Sequence, residues 1–83
     1  MKIGIAGLGL IGGSFAKAIK KYTCHEVYGH DISEDVLRRA EFDHAIDGRL
    51  NGDVLSRCDI IIVALYPADT VSYIKENASR FPK

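Results

Sequence analysis

The stretch Met1–Ser14, MKIGIAGLGLIGGS, decides the fold that the sequence predicts. A short run built around Ile3 and Ile5 predicts a strand, and three glycines follow it in the spacing G-x-G-x-x-G. Behind the glycines, apolar residues recur at the interval of a helix, namely Ile11, Phe15, Ala18, Ile19 and Tyr22. The glycines therefore lie between a strand and a helix, which is the context in which this spacing binds a dinucleotide.

Each glycine of the motif has its own role in such a site. Gly7 lets the chain turn sharply after the strand, Gly9 lets a pyrophosphate approach the backbone, and Gly12 lets the helix pack closely on the strand. The first N–H groups of the helix and its positive dipole end then face the phosphates. The alternative is a structural glycine turn without a ligand. We expect cofactor contacts from Gly7, Leu8, Gly9, Leu10, Ile11 and Gly12.

A dinucleotide site of this class has an acidic residue about 20 residues beyond the glycines, at the end of the second strand. Asp31 has that position, because Glu26–His30 predicts a strand. Its carboxylate accepts both ribose hydroxyls, whereas a 2′-phosphate would meet a like charge. Ile32 and Ser33, the next expected contacts, supply no cation for that phosphate, so the sequence favours NAD over NADP. The alternative is that Asp31 only begins the turn into the next helix.

The middle of the chain continues the alternation of helices and strands. Ser33 is the predicted N-cap of a second helix, which ends at Asp43–His44. A minimal third strand is expected at Ala45–Asp47, followed over residues 48–58 by a turn with one short helical segment.

The fourth predicted strand, Asp59–Leu65, is apolar after its first residue, as a central parallel strand covered on both faces should be. Asp69 is the predicted N-cap of a last helix, which Phe81–Pro82 end. The expected buried side of that helix comprises Val71, Ile74 and Ala78. Further cofactor contacts are expected from Leu65, Tyr66 and Pro67.

This order of elements predicts an α/β fold: a Rossmann-type doubly wound parallel sheet. The sheet is incomplete, with about four strands in the order 3-2-1-4, so a ligand crevice would lie beside the first strand. No histidine has a visible partner for general-base chemistry, and we predict no catalytic residue and no metal ligand among these 83 residues.

Composition narrows the classes of partner. The formal net charge is zero and there is no basic tract, which argues against nucleic acid or an anionic membrane. No apolar run approaches the roughly 20 residues that span a bilayer. Cys24 and Cys58 are predicted to lie about 10 Å apart, two strand spacings, too far for a disulfide. We interpret both as reduced, buried thiols of a cytoplasmic protein.

The chain resembles the prephenate dehydrogenase family of tyrosine biosynthesis along nearly its whole length. The matching runs are GLGLIGGSFAKAIK from Gly7, HEVYGHDIS from His25, AID from Ala45 and DIIIVALYP from Asp59. The doublet Gly12-Gly13 followed by Ser14 is typical of that family. Hydroxyisobutyrate and phosphogluconate dehydrogenases usually lack it. The chain departs from the family pattern at Asp43-His44, where a Gly is common.

The resemblance implies the N-terminal part of an NAD-dependent oxidoreductase that acts on prephenate or arogenate. In that family the catalytic histidine and the helical domain that binds substrate and forms the homodimer come later in the chain, so no catalytic residue is carried over to residues 1–83. Two alternatives stay open. One is another NAD-dependent dehydrogenase of the hydroxyacid and phosphogluconate group, and the other is a non-catalytic NAD-sensing regulatory domain.

Overall fold

A computed structural model describes residues 1–65 and 67–80, apart from the side chains of Leu10, Pro67 and Ala68. The strands are β1 (Lys2–Ala6), β2 (Glu26–His30), β3 (Gly48–Arg49) and β4 (Ile60–Val63). The helices are α1 (Leu10–Tyr22), α2 (Glu34–Phe42), α3 (Gly52–Arg57) and α4 (Pro67–Asn77), with a 3-10 turn at Ala78–Arg80. The strands pair in parallel in the order β3-β2-β1-β4, which confirms the predicted Rossmann-type fold and strand order.

Strand β1 is central, and its two faces have different neighbours. Ile5 is fully buried and belongs to the main core together with Val27 of β2 and Leu37 of α2. On the other face a β-carbon at Gly4 would lie only 2.8 Å from the side chain of Ile61. A second, smaller core of Leu50, Leu55 and Cys58 packs there. The sheet is therefore covered on both sides, as a doubly wound fold requires.

Helix α1 packs on the sheet through its small residues. Gly12 and Ala16 are buried, and Ile19 packs against the main core. Three larger residues that the sequence assigned to the apolar face lie beside this contact, and their side chains are 51% to 75% exposed: Ile11, Phe15 and Tyr22. The helical period was predicted correctly, but the small side chains let the helix axis approach the sheet and so determine which face is buried.

The third strand is Gly48–Arg49, and the prediction of a strand at Ala45–Asp47 is wrong by about three residues. Ala45 instead donates its N–H to the carbonyl of Ala40, at the end of α2. Asp47 follows, and its carboxylate accepts the N–H of Val27 at 2.7 Å. The side chain takes the Val27 N–H in place of a backbone carbonyl, whereas the Asp47 N–H already donates to the carbonyl of Val27 at 2.7 Å. The paired strand residues begin at Gly48.

Both ends of α2 agree with the prediction. The Ser33 hydroxyl accepts the N–H of Val36 at 3.4 Å, as an N-cap does. After the last helical residue, Phe42, His44 adopts a positive φ of 57°. A glycine is usual in this left-handed conformation, and His is among the residues that tolerate it best.

The C-terminal elements differ from the prediction in detail. Strand β4 is shorter than the predicted Asp59–Leu65 and lies at the edge of the sheet. Helix α4 begins at Pro67, and Asp69 belongs to its first turn. The predicted buried residues Val71, Ile74 and Ala78 are exposed, whereas Thr70, Tyr73 and Asn77 are half-buried. The predicted stop at Phe81–Pro82 lies outside the described residues.

The two cysteines are free thiols, as predicted, but only Cys58 is buried, and Cys24 is exposed. Desolvation raises the pKa of Cys58, and the charge of Asp59 adds to that rise. Within the described part of the chain, none of the helices has the length and apolar character needed to cross a membrane.

Candidate dinucleotide-binding site

The glycine loop between β1 and α1 is held between the ends of the neighbouring strands. Gly7 has a φ of +99°, and its N–H donates to the carbonyl of His30 at 2.6 Å. A β-carbon at Gly7 would lie 2.5 Å from the carbonyl oxygen of Ala64. Both the backbone conformation and the space therefore require glycine at this position.

Gly9 is the N-cap of α1 and differs from Gly7 in its surroundings. Apart from Gly9 itself and its chain neighbours Leu8 and Leu10, no heavy atom of the described residues lies within 4 Å of the place that a β-carbon on Gly9 would occupy. The cap has no side-chain hydrogen bond, and helix geometry leaves the first-turn N–H groups of Leu10, Ile11 and Gly12 without intrahelical acceptors. The protein's own atoms leave room for a side chain at Gly9. A phosphate group bound at the helix N-terminus would fill that space and would explain why glycine is present.

Asp31 follows β2 and reaches the glycine loop. Its Oδ2 accepts the N–H of Leu8 at 2.8 Å, and its Oδ1 accepts the N–H of Ser33 at 2.9 Å. The bond to Ser33 forms the turn into α2. Asp31 therefore does begin the turn into the next helix, which was the alternative interpretation of this residue. Each carboxylate oxygen has a further lone pair, so both remain able to accept a ribose hydroxyl. The side chain of Ile32 is 82% exposed beside this carboxylate.

The chain after β4 closes the same edge of the sheet. Ala64 donates its N–H to the carbonyl of Ala6 at 2.7 Å, which brings this segment beside β1. The side chain of Leu65 lies against Gly7, and its carbonyl accepts the hydroxyl of Thr70 at 3.2 Å. Pro67 begins α4, and Tyr66 lies outside the described residues. Ala64 and Leu65 are therefore both brought to the loop, and Leu65 is the one of them that was expected to contact the cofactor.

Sequence reasoning missed the contact that fixes α4 to the sheet. The rings of His30 and Tyr73 stack with centroids 5.6 Å apart and an interplanar angle of 24°. Desolvation by burial raises the pKa of the Tyr73 hydroxyl. The signal in the sequence was the spacing of Thr70, Tyr73 and Asn77, which places all three on one face of a helix.

A groove of about 270 Å³ adjoins the loop on the side of α1 and α2. It includes Leu8 and Gly9, and its rim carries Lys17, Arg39 and Asp43. Each of the two cations lies 3.8 Å from the Asp43 carboxylate. None of these three rim residues was predicted as a site residue. Within the described ranges, no cluster of three or more His, Cys, Asp or Glu side chains is arranged to hold a metal ion.

No protein-family profile matches the sequence, and a search of curated proteins finds no matching sequence. The fold is similar to that of the solved structure of Synechocystis arogenate dehydrogenase, with a TM-score of 0.88 and 23% sequence identity. The match covers 98% of this chain and 29% of the dehydrogenase chain. The chain thus spans less than a third of the length of that protein and has the Rossmann-type fold of the matching part.

Proposed function

We propose that these residues form the NAD-binding portion of an oxidoreductase of the prephenate and arogenate dehydrogenase type. The observation that carries this proposal is the open space over Gly9 at the N-terminus of α1. The other two glycines of the motif are required by the protein's own backbone, so Gly9 is the position whose glycine a bound ligand explains. The similarity of fold to an arogenate dehydrogenase supports the same assignment.

In this proposal the N–H groups of the first turn of α1 bind the pyrophosphate, and Asp31 accepts the hydroxyls of the adenosine ribose. The positive end of the helix dipole favours the phosphate charge. Ile32 and Ser33 border the adenosine on the α2 side, and Leu65, Tyr66 and Pro67 border the cofactor on the β4 side. The negative charge of Asp31 disfavours the 2′-phosphate of NADP.

The proposed reaction is the oxidative decarboxylation of prephenate to 4-hydroxyphenylpyruvate, or the corresponding reaction of arogenate. NAD, when bound, accepts the hydride. The residues of this chain bind and orient the cofactor, and we assign no catalytic residue among them. Substrate binding and a homodimer interface are proposed for another part of the protein, and the proposed location is the cytoplasm.

The test uses the protein expressed from its complete reading frame. Calorimetric titration with NAD and NADP is expected to show tighter binding of NAD. An absorbance assay of NADH formation with prephenate and with arogenate is then expected to give turnover with one of them. NAD binding without turnover on either substrate would favour an NAD-sensing domain or another dehydrogenase. Failure to bind either cofactor would contradict the proposal.

A further inference from the structure

We propose that Asp31 is also a positioning residue for the phosphate loop, in addition to the ribose contact assigned above. This inference rests on the proposed function, because it concerns the same cofactor site. The inference is based on the 2.8 Å hydrogen bond from the Leu8 N–H to Oδ2 of Asp31. This bond joins the glycine loop to a residue 23 positions later in the chain.

Two consecutive loop amides bind two consecutive residues at the end of β2. The Gly7 N–H donates to the carbonyl of His30, and the Leu8 N–H donates to the side chain of Asp31. The first bond is made by backbone alone and survives any substitution at position 31. The second depends entirely on the carboxylate, so residue 31 controls one of the two attachments of the loop.

The position of Leu8 makes this attachment relevant to phosphate binding. Leu8 is buried and directly precedes Gly9, the N-cap of α1. Its N–H points to Asp31 and is therefore not a phosphate donor. Hydrogen bonds to an ionised acceptor are shorter and stronger than neutral ones, so the carboxylate fixes the loop before the cofactor arrives. Binding then requires less ordering of the loop.

The positioning role and the charge of Asp31 predict opposite changes in pyrophosphate affinity when the carboxylate is removed. A negative charge near a phosphate site weakens anion binding, so removal of the half-buried Asp31 carboxylate should strengthen the binding of pyrophosphate. If Asp31 also positions the loop, its removal weakens that binding. A ligand without a ribose separates the two roles, because Asp31 has no hydroxyl of that ligand to contact.

The experiment compares Asp31→Ser with Asp35→Ser in the protein from its complete reading frame, using inorganic pyrophosphate as the probe. Ser at position 31 can still accept the N–H of Ser33 as a turn residue, but its side chain is too short to replace the bond to Leu8. Asp35 is exposed in the first turn of α2 and provides a control that removes the same charge.

Amide resonances of the loop report pyrophosphate binding. Asp31→Ser is expected to weaken it by about tenfold, the size of one charged hydrogen bond, whereas Asp35→Ser should leave it unchanged or tighter. Binding by Asp31→Ser that equals or exceeds that of the wild type would overturn the inference. Asp31→Asn is a second variant: its one carbonyl oxygen can accept only one of the two N–H groups that the carboxylate accepts, so a loss in the same direction is expected.

Hydrogen exchange of the Leu8 amide tests the attachment without any ligand. This amide is expected to exchange at least about tenfold faster in Asp31→Ser than in the wild type and in Asp35→Ser. An unchanged rate would overturn the inference even if the protein binds NAD. If the wild type binds neither NAD nor pyrophosphate, the proposed function fails, while the exchange rates still decide whether Asp31 holds the loop.

Discussion

The α-carbon of Gly12 lies so close to the carbonyl oxygen of Gly7 that a β-carbon at Gly12 would overlap that oxygen. The two residues lie at opposite ends of the motif, and their contact brings the first turn of α1 against the end of β1. Gly9 lies between them in sequence and has open space where a β-carbon would be. The motif therefore contains two glycines that the fold requires and one that a ligand explains.

The first prediction concerns Gly9→Val. The fold has room for the side chain, but Val is a poorer N-cap than Gly by up to about 1 kcal/mol, so the melting temperature should fall by no more than about 8 °C. The side chain would occupy the proposed pyrophosphate position, and NAD affinity is expected to fall at least about a hundredfold. Calorimetric titration checks the affinity and thermal unfolding checks the fold.

Gly12→Val is the matched control for that variant. The same side chain there meets backbone that cannot move away, so we expect loss of the folded state rather than selective loss of NAD binding. Wild-type affinity for NAD in a folded Gly9→Val protein would remove the phosphate loop from the proposed site.

The second prediction concerns cofactor choice. Asp31→Ser should weaken NAD binding and remove the repulsion of the 2′-phosphate, so the ratio of NAD to NADP affinity falls. Adding Ile32→Arg should shift the ratio further, because a guanidinium binds phosphate with two hydrogen bonds. Since Leu8 also loses its acceptor, we expect the NADP affinity of Asp31→Ser to stay below the NAD affinity of the wild type. Wild-type protein that binds NADP as well as NAD would contradict the charge argument.

The third prediction concerns the 83-residue chain produced by itself. The outer edge of β4 has no paired strand among the described residues, and Ile60–Val63 combines high β-propensity with no charge or Pro. Such an edge is a template for pairing between molecules. We expect self-association on size-exclusion chromatography and no turnover of prephenate. A charge on β4 should oppose this pairing between molecules. Ile60 is the suitable position for it because its side chain is 44% exposed, whereas Ile61 packs against the small core. Ile60→Lys should shift the elution towards the monomer.

The fourth prediction concerns Asp47, which joins α1 to the sheet. Its carboxylate accepts Lys20 Nζ at 2.8 Å and the Val27 N–H at 2.7 Å. Partial burial raises the pKa of Asp47, but the hydrogen bonds from Lys20 and Val27 and the charge of Lys20 outweigh that effect, and the pKa lies below its usual value. Asp47→Asn is expected to lower the free energy of unfolding at pH 7 by about 1–2 kcal/mol.

The pH dependence of that difference follows from the direction of the shift. A carboxyl whose pKa is lower in the folded state stabilises the fold fully above its unfolded pKa of about 4. This contribution is lost as the pH falls through the folded pKa. Denaturation with urea at several pH values should therefore show the gap between wild type and Asp47→Asn closing below about pH 4. Asp35→Asn, at an exposed carboxylate, is the control, and an equal loss in that variant would assign the effect to net charge.

The sequence by itself determined the order of elements, the strand order and the place of the glycine motif. These features depend on local rules: the period of apolar residues, the conformations open to glycine, and the handedness of crossovers between parallel strands. Asp31 could be placed at the end of β2 for the same reason, because the distance along the chain from the glycines to that strand end is fixed by one helix and two turns.

Only the tertiary structure decided which side chains meet. Helix α1 buries Gly12 and Ala16 rather than Ile11, Phe15 and Tyr22, because close packing against the sheet favours small side chains. At the start of the third strand, the carboxylate of Asp47 takes the backbone N–H of Val27 in place of a backbone carbonyl. The bond from Leu8 to Asp31 joins positions far apart in the chain. No local period encodes such contacts, since they depend on how whole elements approach one another in space.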